Sequence, residues 1–248
     1  MERAKKIKRA RLKVGRRSLR GRPAKEDRPM VTAMFYVLRT GVPWRDLPLR
    51  FGPWSSVYTR FRRWQRAGLF ERLLVFASAR ATGELRHVDC SHIKLHQHGA
   101  NPRGGKEAQA IGRTKGGINT KLAAVVDAQG RAVGLCLAPG QRHDLRAIEP
   151  LLPCLRRRRA VADKGFDYDT LRRRLRRQRT RICIPRRRGR RAATSFHRGY
   201  YRRRHRVENF FGRIKRFRRI STRYEKLAAT FLALVQFAAV LDWLTFRF

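Results

Sequence analysis

Acidic residues are scarce in this chain: 17 Asp and Glu stand against 62 Lys and Arg in 248 residues, a formal charge of +45. A charge of that size repels itself unless a polyanion neutralises it. Runs of arginine at 156–159 and 186–188 exceed the needs of an ordinary solvated surface, so nucleic acid is the expected partner. The preponderance of Arg over Lys also fits a GC-rich coding bias, and charge alone names no activity. Cysteine is sparse too. Cys90, Cys136, Cys154 and Cys183 form no Cys-x-x-Cys pair, which argues against structural zinc and a disulfide framework and fits a reducing cytoplasm. No apolar stretch follows the charged N-terminus, so no secretory signal is read. The one long apolar segment, 227–246, contains Gln236 and Asp242 and reads as a buried packing helix rather than a membrane span. Internal repeats are lacking. What is present is 42% hydrophobic content, enough for a sizeable core.

Residues 1–25 read as a basic flexible arm, in which Arg20-Gly21-Arg22-Pro23 has the make-up of arms that enter an A·T-rich minor groove or, equally, of a solvated tail. From 26 to about 80 the pattern is helical. Met30, Ala33, Met34 and Val37 predict a helix ending at Gly41 before Pro43. A second helix from Pro53 carries Trp54, Val57, Tyr58, Phe61 and Trp64 on one stripe, read as core, with Arg60, Arg62, Arg63 and Arg66 mostly elsewhere and free to meet DNA. Short helices joined by Gly/Pro turns fit a helix-turn-helix with 54–65 in the major groove, although a generic bundle has the same pattern.

Beyond Gly83 the period changes. Strands are expected at 85–95, 120–126 and 131–137, the last two joined by the turn Asp127-Ala128-Gln129-Gly130. A helix at 144–155, a strand at 160–162, a helix at 168–177 and a strand at 181–184 follow, making a mixed α/β sheet. A flexible basic loop at 185–200 and a packing helix at 224–246 complete the chain. The expected organisation is thus a basic arm 1–25, an all-α DNA-binding domain 26–82 and an α/β domain 83–248.

Transfer of phosphoryl groups between DNA strands uses two metal ions about 4 Å apart, and hard divalent cations take oxygen ligands. In a chain so poor in carboxylates, Asp89 behind Val88 on the first strand and Asp163 behind the run Ala160-Val161-Ala162 are conspicuous. Glu208 is read on a helix from Tyr201 to Lys215, where Arg204, Glu208 and Lys215 share nearly one face with Tyr201 beside them. Taken singly, such a glutamate is more often a surface ion pair. The rival second carboxylates have local readings: Asp127 serves a turn, Asp144 caps a helix, and Asp167 and Asp169 open the helix at Tyr168. His87, His92, His96 and His98 cluster in sequence, but on a strand they do not share a zinc-binding face. Gly112 to Gly117 lacks the spacing of a nucleotide-binding loop; Arg113 and Lys115 within it are candidate phosphate contacts.

The spacing Tyr201, two residues, Arg204, three residues, Glu208, six residues, Lys215 is similar to the signature around the third carboxylate of many bacterial insertion-sequence transposases. Val88-Asp89-Cys90-Ser91-His92, Gly112 to Gly117, Pro139 to Asp144, Ala162 to Asp167 and Tyr36 to Pro48 all look like segments of one family in the expected order. Over roughly residues 20–246 the chain resembles the insertion-sequence-five family of DDE transposases. It departs from the pattern at Cys90, where a small residue is usual, and in its opening 20 residues, which look unfamiliar and raise a shifted start or a rearranged, inactive copy. The resemblance implies a ribonuclease-H-like catalytic domain with Asp89, Asp163 and Glu208 as catalytic and metal ligands for Mg2+, or Mn2+ as a substitute. Tyr201, Arg204, Lys215, Arg113, Lys115, Arg60 and Arg63 are the expected DNA contacts. The expected function is cleavage at transposon ends and joining of the 3′-hydroxyl to target DNA, by a homo-oligomer on double-stranded DNA in the bacterial cytoplasm. The competing expectations are a non-catalytic DNA-binding protein, a basic RNA-associated protein, and a nuclease that cuts without joining.

Overall fold

The computed structural model describes residues 26–189 and 196–245. The basic arm at 1–25 and part of the basic loop, 190–195, lie outside the described residues.

The chain opens with α1 (Asp27–Thr40), whose Met30, Ala33, Met34, Val37 and Leu38 are buried. Gly41 ends it in the left-handed region, φ 77°, with its N–H donating to the Val37 carbonyl, as a helix C-terminus favours. Two short 3-10 turns, Trp44–Asp46 and Leu49–Phe51, lead to α2 (Trp54–Arg66) and α3 (Leu69–Ser78). On α2 the core stripe is Val57, Phe61 and Trp64. Trp54, expected in the core, is 36% exposed instead, because it stands at the first position of the helix.

The period-2 region forms β1 (Leu85–Leu95), β2 (Gly112–Thr114), β3 (Gly117–Val126) and β4 (Ala132–Pro139), then α4 (Asp144–Ala147), β5 (Arg159–Val161), α5 (Asp169–Arg177) and β6 (Arg181–Cys183). Strands β3 and β4 run antiparallel to their neighbours, while β5 pairs parallel with β1 and β6 parallel with β5. Read from its β4 edge the sheet runs β4, β3, β1, β5, β6, the mixed ribonuclease-H-like arrangement that the resemblance implies. Helices α6 (Arg198–Arg202), α7 (His205–Ile214) and α8 (Arg218–Ser221), the two-residue β7 (Thr222–Arg223) and α9 (Ala228–Thr245) close the chain.

Four expectations change. Residues 112–114, read as a loop, pair with β3 as a short strand. The helix expected over 144–155 stops after Ala147 and continues as a 3-10 turn, Glu149–Leu155. Pro150 and Pro153 explain this, since neither has an N–H for an α-helical ladder. The helix expected from Tyr201 to Lys215 is broken at Arg203, so Tyr201 sits on α6 and Glu208 on α7. Strand β7, unforeseen, pairs with Lys94 and Leu95 of β1.

Strand β3 is buried on both faces. Leu122, Ala124 and Val126 pack with α1 to α3, α7 and α9, whereas Ala123 and Val125 pack on the other side with Leu151, Leu152, Phe166 and Leu171; the alternation is the period of two that a pleated strand imposes. Helix α9 is long and apolar enough by composition to cross a membrane. Here it is a central core element, with Phe231, Leu234, Val235, Ala238 and Ala239 at 3% exposure or less. Phe70 of α3 meets Phe237 of α9 at 5.6 Å between ring centroids. The helices before residue 80 therefore share one core with α9 and the sheet.

Candidate active site

The β1–β5 register pairs His87 with Val161, so that two residues further along the parallel strands the chain reaches Asp89 on one and Asp163 just past the end of the other. Asp163 begins the 3-10 turn Lys164–Phe166 in extended conformation. Backbone pairing thus sets two of the three carboxylates beside one another: Asp163 lies just past the end of β5, whereas Asp89, expected near a strand end, stands mid-strand on β1, which runs on to Leu95.

The third arrives by side-chain contact. Arg204, at the N-cap of α7, donates from Nη2 to Glu208 Oε1 at 2.6 Å and from Nη1 to Asp89 Oδ2 at 3.4 Å, one guanidinium bridging two carboxylates. Tyr201 donates its hydroxyl to Asp163 Oδ1 at 3.1 Å and lies under the Arg204 guanidinium, 5.9 Å from ring centroid to Cζ. Asp89 Oδ1 also accepts from the Cys90 N–H at 2.8 Å. Five side chains separated by as much as 119 positions are in this way connected. Among the described residues no three of His, Cys, Asp and Glu close on a single point; Arg204 stands between Asp89 and Glu208.

Burial pushes the Asp89 carboxyl above its ordinary range, against the Cys90 N–H and Arg204, which favour the anion, and with Glu208 and Asp144, which oppose it. The carboxylate is thus short of positive partners even with Arg204 in place. An all-oxygen donor set holding a dehydrated carboxyl suits a hard divalent cation.

Lys215 caps the far end of α7 and donates from Nζ to Ser91 Oγ at 2.6 Å and to the His92 carbonyl at 3.2 Å. Burial lowers its pKa. These bonds pin the C-terminus of α7 to β1 beside Asp89, and Ser91 is a residue the sequence did not single out. Arg113 and Lys115 are exposed on the β2–β3 hairpin. On α2, Arg63 is exposed and lines a shallow cavity of about 260 Å³ with Ser55, Ser56 and Thr59. Arg60 and Arg62, expected to be free, are committed internally: Arg60 pairs with Asp27 of α1 and lies over Trp64, and Arg62 donates to Thr230 of α9.

Of the rival carboxylates, Asp127 is fully buried in the β3–β4 turn, accepting from the N–H groups of Gln129 and Arg131 and from the Arg131 guanidinium. Asp144 is not a helix cap, a place His143 takes; it accepts from Lys121 Nζ at 2.6 Å. Asp167 does not open α5, whose N-cap is Tyr168, but forms a buried pair with Arg172 at 2.7 Å. Asp169 does lie in its first turn. Of the histidines, His87 is buried, His92 meets Asn119 at 3.0 Å, and His96 stacks against Tyr224 at 4.7 Å with His98 edge-on to it at 4.5 Å.

Residues 81–243 match the family model described as "Transposase DDE domain". Residues 5–74 match one described as "Putative transposase of IS4/5 family", so the opening segment, which looks unfamiliar by eye, lies within the family's extent from residue 5 onward. The "Putative transposase for insertion sequence element IS6501" of Brucella ovis is 33% identical over 138 residues, covering 51% of this chain and 99% of that one. An "Uncharacterized protein y4sN" of Sinorhizobium fredii is 33% identical over 92 residues, covering 37% of this chain and 73% of that one. Among solved structures, a "Mos1 transposase paired-end complex with left transposon end" aligns over 86% of this chain and 85% of that one at 14% identity, with a TM-score of 0.25, a superposition too loose to bear on the site.

Proposed function

Because the chain belongs to the DDE transposases of the IS4/5 group, we propose that it binds the inverted repeats at the ends of an insertion sequence, cleaves DNA there, and joins the freed 3′-hydroxyl to target DNA. The observation that carries this reading is the link from Asp89 through Arg204 to Glu208, with Asp163 held alongside by Tyr201. Asp89, Asp163 and Glu208 would hold divalent metal, Mg2+ or its substitute Mn2+. Bound there, the metal supplies Lewis-acid stabilisation of the attacking and leaving oxygens in an in-line phosphoryl transfer.

The chain's own residues have separate tasks. Arg204 compensates the negative charge of Asp89 and Glu208 where they face one another, and its planar fork matches phosphate as well as carboxylate. Tyr201 fixes the orientation of Asp163 through its hydroxyl. Lys215, anchored on Ser91, keeps a cation beside the strand that carries Asp89. Arg113, Lys115 and Arg63 supply exposed phosphate contacts, whereas Arg60 serves to fasten α2 to α1. A homo-oligomer acting on double-stranded DNA in the bacterial cytoplasm completes the proposal.

Asp89→Ala, Asp163→Ala and Glu208→Gln are each expected to abolish metal-dependent cleavage of end DNA in a gel assay while end binding stays within a few-fold of the parent. Cleavage persisting in any one of them removes that residue from the assignment.

A further inference from the structure

A second cleft shares no residue with the carboxylate cluster. It has a volume of about 600 Å³, within the range of small-ligand sites, and lies between the turn after α1, the start of α2 and the segment leading into α9. Its walls combine aromatic rings with cations. Trp54 is 36% exposed, an unusual placement for the largest side chain, and Arg45 stands over its ring at 5.7 Å. Tyr58, one helical turn on, packs its ring 5.4 Å from that of Trp44. Arg103 and Lys226 also line the cleft.

Glu225, another lining residue, is the unusual member. Its side chain is 4% exposed; Oε1 accepts from Arg219 Nε at 2.7 Å, but Oε2 is buried and has no hydrogen-bond partner among the described residues. Leaving a buried carboxylate oxygen unmatched is costly, and more so for a charged group. A ligand that brings N–H donors to this wall removes that cost.

Resting on the reading that this chain handles DNA, we propose that the cleft takes an unpaired guanine nucleotide of a DNA strand. The base stacks on Trp54 and Tyr58, its N1–H and exocyclic amine donate to Glu225, and Arg45, Arg103 and Lys226 meet its phosphates. Aromatic platforms with cations around them accept any unpaired base, and the carboxylate selects among them. Guanine offers two adjacent N–H donors on its Watson–Crick edge to an acceptor-only group. Thymine presents two carbonyls beside its single N–H, and adenine and cytosine each set a ring acceptor next to the amine. That edge is exposed only when the base has left its pair, so the site reads a strand that is opened or overhanging.

The test uses the full chain without metal and short end-labelled oligothymidylates carrying one central guanine, hypoxanthine or adenine, with affinity read from the fluorescence anisotropy of the label. The guanine strand is expected to bind about tenfold tighter than the hypoxanthine strand, which lacks the exocyclic amine. Trp54→Ala is expected to weaken every strand about tenfold while binding of duplex end DNA is unchanged. Glu225→Gln, which keeps an acceptor for Arg219, is expected to level the preference for guanine without loss of overall binding. Equal affinities for the three strands overturn the proposal using the parent protein alone, as does unchanged single-strand binding by Trp54→Ala. Since no cleavage is measured, a base preference that survives alongside inactive carboxylates leaves this site standing, and active carboxylates without a base preference leave the catalytic reading standing.

Discussion

At the scale of single residues, buried polar groups set how this protein responds to pH. His87 on β1 is fully buried, and neither ring nitrogen has a partner among the described residues. Burial, reinforced by Arg206, lowers its pKa to about 4. A histidine depressed in the folded state takes up its proton more readily when unfolded, so its contribution to stability is whole above pH 6.5 and is lost as pH falls towards 4. The loss amounts to about 3 kcal/mol. His87→Leu is therefore expected to flatten the fall in melting temperature over that interval, as scanned by circular dichroism; an unchanged slope would assign it to other groups. His87, Val88 and Asp89 were readable as parts of one strand. The Arg204–Glu208 half of the bridge has the i,i+4 spacing of a helical pair; the Asp89 half was not readable, because it spans 115 positions.

At the scale of elements, the β3–β4 turn is the brace for α7. Gly130 lies at φ 85°, a conformation that a side chain strains, and a Cβ there would stand 3.0 Å from the Arg206 carbonyl on α7. Its own carbonyl accepts from Arg213 of α7 at 2.7 Å, and Arg213 in turn pairs with Asp242 of α9 at 2.6 Å. Hairpin, α7 and α9 are thereby joined at one point. Gly130→Ala is expected to cost about 1–2 kcal/mol of stability, measured by urea unfolding, and to reduce end cleavage at least several-fold because it displaces the helix that carries Glu208. Full cleavage with normal stability would show that the turn yields without moving α7. The sequence made the hairpin legible, since Asp127 and Gly130 are turn residues between two alternating runs. It also made Tyr201 to Lys215 look like one helix, because no proline or glycine marks the break at Arg203; the interruption follows from packing Tyr201 towards Asp163 while α7 lies on β1 and β3.

At the scale of the whole molecule, two consequences follow from charge and from the shared core. With a net charge of +45, each phosphate neutralised on binding releases a counterion, so log K against log salt is expected to fall with a slope of about −0.9 per contact. A slope near zero in a filter-binding titration would mean that few of these cations meet DNA. Because α1 to α3 bury their apolar faces against α9 and the sheet, the helical segment and the α/β segment are expected to unfold together, in one calorimetric transition. Two separated transitions would show that each holds its own core.

The sequence by itself determined five of the sheet's seven strands, the placing of Asp89 on the first strand and of Asp163 just after a later one, and the family, because periodicity, local propensity and motif spacing are properties of neighbouring residues. Only the tertiary structure decided which arginines are spent inside the protein, where α7 starts, and that Arg204 and Tyr201 tie the carboxylates together. It also left Trp54 and Glu225 facing a common cleft. Those outcomes depend on contacts between residues far apart in the chain, which are fixed by how the layers close on one another and not by any pattern along it.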